Sequence, residues 1–496
     1  MGAARKLLLW IAIVAAVLVA LPYLGWKLLI AVGPSLAIPE FPTLTPPREF
    51  IGEPARARPL KAPAPPQHPF MAANGRSVIH GDAYMTDTHA VPGPLGHEVE
   101  SGSTFQVGEC ATLTFDRQGR IVTLCVRLRD RFLTLLDPVT LDRLATFDLP
   151  PRALRLGGLF TDFSGGGYFY LDHRDRVVIA TTTRHVYVVA VGDDDFEQVD
   201  DIDLSGVVGP DDAINSVLPD WDGRLWFVST DGVVGFVPRS GDEPQAVELD
   251  EGIENSFAVD ETGGVYVVSD RALYRFEVGG DGAPRVSWRE EYPNTGEQKP
   301  GQTDDASGTT PTLLGERWVA ITDNAEQMAV SVYRREEGFR GRRLVCSQPV
   351  FEPGQSATDN SLIGVGRSLL VENNYGYSGP GATFFGGTTE PGFTRVDLDR
   401  DGRGCRIVWE SEVRAPSVVP KLSLDTGLVY TYVKPPNADS DPWYLTALDF
   451  RTGETEWMAL AGRGLGFNNN YAPITLGPDG SAYVGVIGGL VRLADG

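Results

Sequence analysis

The sequence is poor in cysteine, methionine and histidine, and its basic residues are outnumbered by acidic ones. Its 496 residues include 4 Cys, 5 Met and 6 His, and 43 Lys and Arg stand against 66 Asp and Glu. The net charge of -23 argues against nucleic-acid binding, because little of this surface would neutralise phosphates. The sequence also lacks a Cys-x-x-Cys pair, a nucleophile elbow, a phosphate-binding loop and a dinucleotide fingerprint.

The N-terminus carries a candidate membrane segment. Arg5 and Lys6 precede an apolar run over residues 7–32, which is broken only by Pro22 and Lys27. About twenty apolar residues span a bilayer, and basic residues ahead of the span keep the N-terminus in the cytoplasm. Residues 1–33 are therefore predicted to be a single-pass transmembrane anchor, with the rest of the chain on the periplasmic or extracellular side.

A cleaved signal peptide is the alternative, because Ser35-Leu36-Ala37 resembles a small-residue cleavage site. The apolar run is long for a signal peptide, which favours the uncleaved anchor. Residues 34–73 follow as a Pro-rich linker, predicted to be a semi-rigid spacer of about 3 Å per residue that holds residues 74–496 away from the membrane.

One unit recurs through residues 110–496: an apolar strand, a turn of the Asp-x-x-Gly type and a second apolar strand. The turns lie at residues 116–119, 172–175, 220–223, 260–263, 314–317, 364–367, 424–427 and 477–480. Each of these hairpins except the last is followed by a second one, and the repeat is roughly forty to sixty residues long. Glycine and proline are plentiful, at 57 and 36 residues, as short strands and tight turns require. The pattern predicts an all-β fold, an eight-bladed β-propeller of four-stranded antiparallel blades.

The last unit ends at Gly496 after three strands, which would leave its blade with an open edge. The missing outer strand is predicted to come from residues 77–106, so that an N-terminal strand closes the last blade. A seven-bladed ring with one irregular unit is the alternative.

The four cysteines fit an oxidising compartment. With the first hairpin turn at residues 116–119, Cys110 faces Cys125 across the two strands. Directly opposed strand residues come close enough for a disulfide in one class of pair, and a Cys110–Cys125 bond is predicted. Cys346 and Cys405 lie on the outer strands of the fifth and sixth units. Equivalent positions in adjacent blades are normally too far apart to bond, so their pairing stays open.

The segment Ala447-Leu448-Asp449 with Thr452-Gly453-Glu454 and Trp457 resembles the repeat of the quinoprotein-like eight-bladed propellers. That superfamily includes pyrroloquinoline-quinone (PQQ) dehydrogenases and a periplasmic scaffold lipoprotein of the outer-membrane assembly machinery. The resemblance implies that the Trp docks one blade on the next, and Trp288 and Trp409 occupy comparable places. This chain lacks the adjacent Cys pair and the long insertions of the quinone enzymes, which argues against bound PQQ.

Two middle hairpins are similar to those of calcium-dependent lactonases and strictosidine-synthase-like propellers. The similar stretches are Ile214-Asn215-Ser216-Val217 with Asp222-Gly223-Arg224-Leu225-Trp226-Phe227, and Glu254-Asn255-Ser256-Phe257-Ala258-Val259-Asp260. In that family a Glu, two Asn and an Asp hold one metal in the channel. The resemblance implies that the matching set here is Glu109, Asn215, Asn255 and either Asp359 or Asn360. Those propellers have six blades, which counts against the transfer.

The residues themselves point to the same place. Each of the following lies just before an innermost strand: Glu109, Asn215, Asn255, Asp359, Asn360 and Asn469. In a propeller these strand starts converge on one mouth of the central channel. Carboxylate and amide oxygens there suit a hard cation such as Ca²⁺, or a small polar ligand. The alternative is that the Asn side chains satisfy backbone groups at turns and strand ends.

His80, Asp82 and His89 form an alternative metal cluster ahead of the first blade, because imidazole and carboxylate groups bind transition metals. The same part of the chain must also supply the closing strand. A turn-rich segment with a structural role is therefore the competing interpretation.

These features predict an exported, membrane-tethered propeller that acts as a binding or scaffold module of the bacterial cell envelope. Its partner would be an envelope protein or a small polar ligand. A Ca²⁺-dependent hydrolase or lactonase is the first alternative, and a PQQ-dependent dehydrogenase is the second. The sequence identifies no catalytic residue.

Overall fold

The structure is a computed structural model that describes residues 22–43, 45–153, 162, 164–437 and 439–496. Within these ranges the chain forms eight antiparallel sheets, each with four strands of its own, and one of them carries two further strands. Successive sheets pack on each other, and the eighth packs on the first. The chain is therefore an eight-bladed β-propeller around a central channel.

The strands of each blade follow one another outward from the channel. Blade 1 consists of Glu109–Phe115, Ile121–Arg127, Asp130–Leu136 and Arg143–Leu149. Blade 2 consists of Tyr170–Leu171, Arg176–Ala180, His185–Val191 and Phe196–Asp203. Blade 3 consists of Ile214–Pro219, Leu225–Ser229, Val233–Val237 and Gln245–Glu248. Blade 4 consists of Ala258–Val259, Val265–Val268, Ala272–Val278 and Pro284–Glu291.

The second half of the ring repeats this order. Blade 5 consists of Thr312–Leu314, Trp318–Thr322, Ala329–Arg334 and Leu344–Pro349. Blade 6 consists of Ile363–Val365, Ser368–Glu372, Phe393–Leu398 and Cys405–Ser411. Blade 7 consists of Lys421–Ser423, Leu428–Val433, Pro442–Asp449 and Thr455–Arg463, with Thr88–His89 added on its channel side and Phe50–Gly52 on its outer side. Blade 8 consists of Ile474–Leu476, Ala482–Val486, Gly489–Ala494 and Glu100–Phe105. Short 3-10 helices occur at Gly33–Ser35, Pro380–Gly386 and Leu465–Phe467.

The outer strand of blade 8 comes from the N-terminal part of the chain. Glu100–Phe105 pairs antiparallel with Gly489–Ala494, from Glu100 opposite Ala494 to Phe105 opposite Gly489. The prediction of a closing strand from residues 77–106 is confirmed, and the seven-bladed alternative is wrong. Because Glu100–Phe105 supplies its outer strand, blade 8 has four strands like the other blades.

The eight predicted turns each join the first and second strands of a blade. In blade 1 the Asp116 carboxylate accepts hydrogen bonds from two backbone N–H groups of its own turn, at 3.0 and 2.8 Å. Asp172, Asp220 and Asp260 hold the turns of blades 2 to 4 in the same way. An Asp that binds the backbone just after it explains why this residue opens the motif.

Tryptophans of two outer strands dock their blades on the next blade. The Trp288 indole N–H donates to the backbone oxygen of Arg335 at 3.2 Å, and that of Trp409 donates to Phe450 at 3.0 Å. A side chain on Gly453 would overlap the Trp409 ring. The Thr-Gly-Glu turn thus supplies the flat surface that the tryptophan of the preceding blade requires.

Two disulfides are present, Cys110–Cys125 and Cys346–Cys405. The first joins facing residues of the first hairpin, as the sequence predicts, with Cα atoms 4.0 Å apart. The second joins the outer strands of blades 5 and 6, with Cα atoms 5.9 Å apart. These two outer strands contact each other directly, so the usual separation of equivalent positions does not hold here.

The predicted N-terminal anchor lies partly outside the described residues, which begin at residue 22. Residues 22–32 are helical, and Trp26 and Leu29 line one groove together with Val107 and Leu128 of the propeller. In the part of the chain that the structure describes, no helix has both the length and the apolar character that a membrane crossing needs. Residues 7–21 of the predicted span are not among the described residues.

Residues 34–73 do not form the free spacer that the sequence predicts. Phe50–Gly52 pairs with the outer strand of blade 7. Further along, backbone N–H groups of Ala55, Arg58 and Leu60 donate to propeller carbonyls at 2.7 to 2.8 Å. Proline keeps a chain extended without preventing its carbonyls and its neighbours from hydrogen bonding, so an extended Pro-rich segment fits along a strand edge.

The two ends of the channel are named here by strand direction. The upper face carries the loops that precede the innermost strands and the loops between second and third strands. The lower face carries the turns between first and second strands and between third and fourth strands. The helix of residues 22–32 lies at the upper face, Phe50–Gly52 crosses the outside of blade 7, and residues 58–60 reach the lower face.

Residues 68–89, here called the closing segment, run around the lower end of the channel and contact every blade. The contacted residues, which lie in the innermost strands or just beyond them, are Phe115, Leu171, Trp221, Val259, Leu313, Gly364, Leu422 and Leu476 in blades 1 to 8. In blades 4 to 7 the contact is a backbone N–H of the blade that donates to a carbonyl of the segment at 2.9 to 3.0 Å. An innermost strand has no neighbour on its channel side, so the closing segment satisfies backbone groups that would otherwise lack a partner.

Candidate functional site

A small cavity remains in the channel above the closing segment. Its volume is about 40 Å³, and Ile79 and His80 of the closing segment contribute to its lining from below. Tyr168 and Tyr471 contribute to its walls. A cavity of this size holds a few water molecules or one ion with its waters.

Three of the six predicted channel-mouth residues line this cavity: Asn255, Asp359 and Asn360. Each comes from the loop just before an innermost strand, as the sequence predicts. The Asn255 side chain makes no hydrogen bond to another described residue. Its amide is therefore available to the cavity. The structure therefore brings oxygen donors of blades 4 and 6 to one place.

Asn215 and Asn469 instead hold the backbone, which is the alternative that the sequence left open. The Asn215 amide donates to the backbone oxygens of Ile253 and Asn255 at 3.3 and 3.2 Å. The Asn469 amide donates to the backbone oxygen of Ala472, and its oxygen accepts from the Ser417 hydroxyl at 3.1 Å. Both side chains are buried and fix the loops between neighbouring blades.

Glu109 lies apart from the cavity, in a groove of about 490 Å³ beside the N-terminal helix. Its carboxylate accepts from the Asn470 amide at 3.1 and 3.3 Å. Burial raises the pKa of Glu109 to about 8, although the Asn470 hydrogen bond and nearby Arg152 oppose that rise. Glu109 is therefore not a partner of Asn255 and Asp359.

Asn360 is held in one orientation by its surroundings. Its Nδ2 faces only acceptors, the carboxylate of Glu372, the side-chain oxygen of Asn374 at 3.2 Å and the backbone oxygen of Val418 at 2.9 Å. Its Oδ1 is buried and has no partner among the described residues. A buried acceptor without a donor costs about 1–3 kcal/mol, which a bound water or cation at the cavity would offset.

Glu372 forms the second half of this network. Its Oε1 also accepts from the Asn374 amide at 2.9 Å, whereas its Oε2 is buried with no partner among the described residues. Burial raises the pKa of Glu372 to about 8, and the two amides only partly reverse that shift. A second unpaired oxygen thus lies behind the cavity wall.

Three carboxylates, Asp359, Asp304 and Glu254, influence one another at the upper face, and of these Asp359 lines the cavity. Burial raises the pKa of Asp359 well above its ordinary value, and the charge of Asp304 adds to the effect. Burial likewise raises the pKa of Asp304 to about 6, and one of its oxygens is buried without a partner among the described residues. Loss of hydration and, next, the charge of Asp304 raise the pKa of Glu254 to about 8. These carboxylates repel one another, so a cation near Asp359 would be stabilised.

Asp359 itself is fixed by Thr303. The Thr303 hydroxyl and backbone N–H donate to the two carboxylate oxygens at 2.8 and 3.3 Å. Its own backbone N–H donates to the Asn374 side chain at 3.1 Å. The position of the carboxylate is thus set by the loop ahead of blade 5 and by blade 6.

His80, Asp82 and His89 do not come together as a metal cluster. The His80 Nδ1 lies 3.0 Å from the Asp87 carboxylate, which is also paired with the buried ammonium of Lys421. Asp82 accepts from the Thr86 hydroxyl at 2.5 Å, and the His89 Nδ1 accepts from the backbone N–H of Leu476 at 3.3 Å. In the described ranges, no three His, Cys, Asp or Glu side chains are arranged to hold a metal.

Asp304, Glu254 and Tyr471 are not among the site residues that the sequence predicts. Asp304 precedes the innermost strand of blade 5, just as Asp359 precedes that of blade 6. More residues separate Asp304 from its strand than separate Asp359 from its own. Glu254 stands next to Asn255 in the sequence and was visible as a candidate. The acidic pair Asp304-Asp305 was the signal that could have completed the set.

The chemistry available is the binding of one small, charged or polar species. The cavity offers amide, carboxylate and phenol oxygens, which suit a hard cation more than a transition metal. It is far too small to enclose a tricyclic quinone. With no three acidic or imidazole side chains converging in the described residues, a cation here would depend on amide and backbone oxygens as well.

Comparison with known proteins leaves the family open. No known family description matches the sequence. An uncharacterized protein of Archaeoglobus fulgidus is 32% identical over 332 residues, which are 59% of this chain and 64% of the relative. This chain therefore covers less than two thirds of that relative.

Solved structures with a similar fold are also found. BamB from Moraxella catarrhalis is 11% identical, with a TM-score of 0.41 over 64% of this chain and 93% of its own. The WD40 domain of SCAP from fission yeast is 11% identical, with a TM-score of 0.47 over 78% and 95%. A streptogramin B lyase is 10% identical, with a TM-score of 0.38 over 77% and 92%. At these identities the likeness concerns the fold alone.

Proposed function

We propose that this chain is an exported, membrane-tethered binding or scaffold module of the cell envelope, of the quinoprotein-like propeller type. Its upper face would bind an envelope protein or a small polar ligand. The apolar run of residues 7–32 supplies the tether in this proposal, and the two disulfides suit an oxidising compartment outside the cytoplasm.

One observation carries the proposal: the closing segment occupies the lower end of the channel and leaves a cavity of about 40 Å³ above it. This cavity is smaller than the pockets of some hundreds of Å³ that usually enclose organic ligands, so the channel itself suits only water or a small ion. A ring with a filled channel still offers its upper loops as a broad surface, and such loops commonly carry binding in scaffold-based sites.

The test uses a photo-reactive amino acid in the full chain, expressed in membranes of its source. Glu254 is the upper-face position and Asp222, which is exposed on the lower face, is the control. A single envelope protein cross-linked from position 254 and not from position 222 is expected. Identical patterns from the two positions, or no specific product, would contradict a binding role for the upper face.

A Ca²⁺-dependent activity is the second candidate, and the unpaired Oδ1 of Asn360 beside Asp359 favours it. Elemental analysis of the purified full chain is expected to find Ca²⁺ near one equivalent. If the metal-free protein shows the same thermal unfolding with and without added Ca²⁺, this candidate is wrong. The PQQ-dependent alternative loses support because the cavity does not fit the quinone.

A further inference from the structure

Large apolar side chains are exposed mainly on one face of the ring. Among the described residues, eleven of the sixteen exposed large apolar side chains lie at the upper face. They are Tyr23, Leu24, Leu28, Leu29, Val32, Leu36, Phe41, Leu128, Phe384, Phe385 and Leu465. The others are scattered over outer strands, apart from Val139 on the lower face. An apolar patch of this kind marks an interaction surface.

These side chains follow only part of the upper rim, here called the apolar crescent. It runs from Phe384 and Phe385 in blade 6, through Phe41 and Leu465 between blades 7 and 8, to the N-terminal helix and Leu128 at blade 1. The rim of blades 3 to 5 is instead acidic. Its acidic side chains are Asp211, Asp231, Glu254, Asp304 and Asp305, here called the acidic crescent.

The most exposed member of the apolar crescent is held rigidly. Phe385 is 74% exposed, and its backbone N–H and that of Gly386 donate to the Asp441 carboxylate at 2.9 and 2.7 Å. Asp441 is itself paired with the buried ammonium of Lys434 at 3.0 Å. Phe385 has a φ of 51°, an uncommon backbone conformation for a non-glycine residue. A buried ion pair and a strained backbone thus present an apolar ring to the outside.

The N-terminal helix joins the crescent to the predicted tether. Trp26 and Leu29 line the groove beside Val107 and Leu128, whereas Leu24 and Leu28 are exposed. The residues that directly precede this helix, 7–21, are all uncharged and almost all apolar. Because residues 34–73 are bonded to the ring, no free spacer separates the helix from the propeller.

We propose that the apolar crescent rests on the lipid surface of the membrane in which the chain is tethered, an inference that depends on the tether proposed above. Charge supports this occupant. A bilayer surface that carries anionic lipids repels the acidic crescent and accepts the apolar side chains of the apolar crescent. The ring would therefore lie tilted, with blades 6 to 8 and blade 1 toward the lipid and blades 3 to 5 toward solvent.

The test places one fluorescent label on each face of the full chain. The described cysteines are all in disulfides, so an introduced cysteine gives a single reactive thiol. Phe385→Cys labels the crescent, and Val139→Cys, at a position 62% exposed, labels the lower face as a matched control. The proteins are reconstituted in vesicles of phosphatidylcholine and phosphatidylglycerol that contain nitroxide-labelled lipid.

An environment-sensitive label at position 385 is expected to shift to the blue and to be quenched at least about twofold by the nitroxide lipid. The label at position 139 is expected to show neither effect. A vesicle-bound protein with equal, unquenched labels would overturn the docking and leave the tether standing. A blue shift at 385 without lipid quenching would also overturn it, because a second copy or another part of the chain would then cover the crescent.

Vesicle flotation separates this inference from the tether on which it depends. If the full chain fails to float with vesicles, the tether is wrong and the docking falls with it. A second variant keeps the tether and removes the apolar side chains, Phe384→Ser with Phe385→Ser. It is expected to float as before while the quenching of a label at Leu128→Cys decreases, and unchanged quenching at that position would contradict a continuous crescent.

Discussion

The two ends of the channel differ in whether key buried polar groups have hydrogen-bond or charge partners. At the lower end the buried Asp87 carboxylate has partners on two sides, the Lys421 ammonium and the His80 ring. At the upper end the buried oxygens of Asn360, Glu372 and Asp304 lack partners among the described residues. A satisfied network locks a structure, whereas unpaired acceptors in a cavity are left for something that binds.

The difference follows from the path of the chain. The N-terminal region crosses from the upper face to the lower face along blade 7 and then lays residues 68–89 against the ends of the innermost strands. Nothing comparable covers the starts of those strands within the described residues. The lower end is therefore structural, and the upper end carries the candidate functions.

The largest expected effect is at the lower end. Lys421→Met leaves the Asp87 carboxylate buried with only His80, which should destabilise the fold by about 3–5 kcal/mol. Arg406→Met, which breaks the exposed pair with Asp399, is the control and should cost at most about 1 kcal/mol. Thermal unfolding of both variants measures the contrast. Equal unfolding temperatures would mean that the lower network does not lock the channel.

The second effect is a pH dependence at the upper end. Because the folded-state pKa of Glu372 is raised to about 8, its protonated form stabilises the fold below the ordinary value of 4.5, and this contribution is lost as the pH rises through 8. Glu372→Gln stays neutral, so it should gain a few kcal/mol of stability over the parent chain as the pH rises from 4 to 9.

Urea unfolding at a series of pH values measures this difference. Glu410→Gln, at an exposed position on the outer strand of blade 6, is the control and should show a difference that does not change with pH. If the free energy of unfolding of Glu372→Gln changes with pH in parallel with that of the parent chain, burial does not raise the pKa of this carboxylate.

The third effect concerns Ca²⁺. Asp359→Asn removes a carboxylate from the cavity and should weaken Ca²⁺ binding by about tenfold or more. Because the pKa of Asp359 is raised, binding must displace a proton and should weaken as the pH falls. Calorimetric titration measures both. Asp211→Asn, in the acidic crescent outside the cavity, should change affinity by less than about twofold, and an equal loss in the two variants would indicate a diffuse field instead of a site.

The smallest effect separates two asparagines that look alike in the sequence. Asn215→Ala removes hydrogen bonds to two backbone oxygens and should cost about 1–2 kcal/mol of stability. Asn255→Ala faces the cavity and should leave stability within about 0.5 kcal/mol while weakening Ca²⁺ binding. Thermal unfolding of the metal-free proteins is the measurement, and the reverse ranking would show that the two roles are exchanged.

The fold could be predicted because its signals are local. An Asp that binds its own turn marks each of the first four inner hairpins, and the remaining four turns occupy the same position in their blades. The Cys110–Cys125 pair was predicted correctly although the predicted strand register was not. A turn at residues 116–119 places Phe115 opposite Arg120, and the structure differs by one residue there. Phe115 faces Ile121 instead of Arg120, and a register shift between Cys110 and Leu113 restores the pairing.

The candidate site was predictable only in part, because it depends on contacts between distant loops. The Asn residues at strand starts share one sequence pattern, yet Asn215 and Asn469 bind backbone while Asn255 and Asn360 reach the cavity. Residues 68–89 contain no repeat, so their place in the channel follows from tertiary contacts alone. The apolar crescent joins residues that are hundreds of positions apart in the sequence.

Residues 68–89 fill the lower end of the channel, and the contrast between its two ends depends on this placement. Amide hydrogen exchange of the full chain tests it directly. Peptides that cover residues 76–89 should exchange as slowly as the innermost strands, because their carbonyls and amides are bonded inside the ring. Exchange of these peptides within seconds, at the rate of exposed turns, would show an open channel and contradict the account.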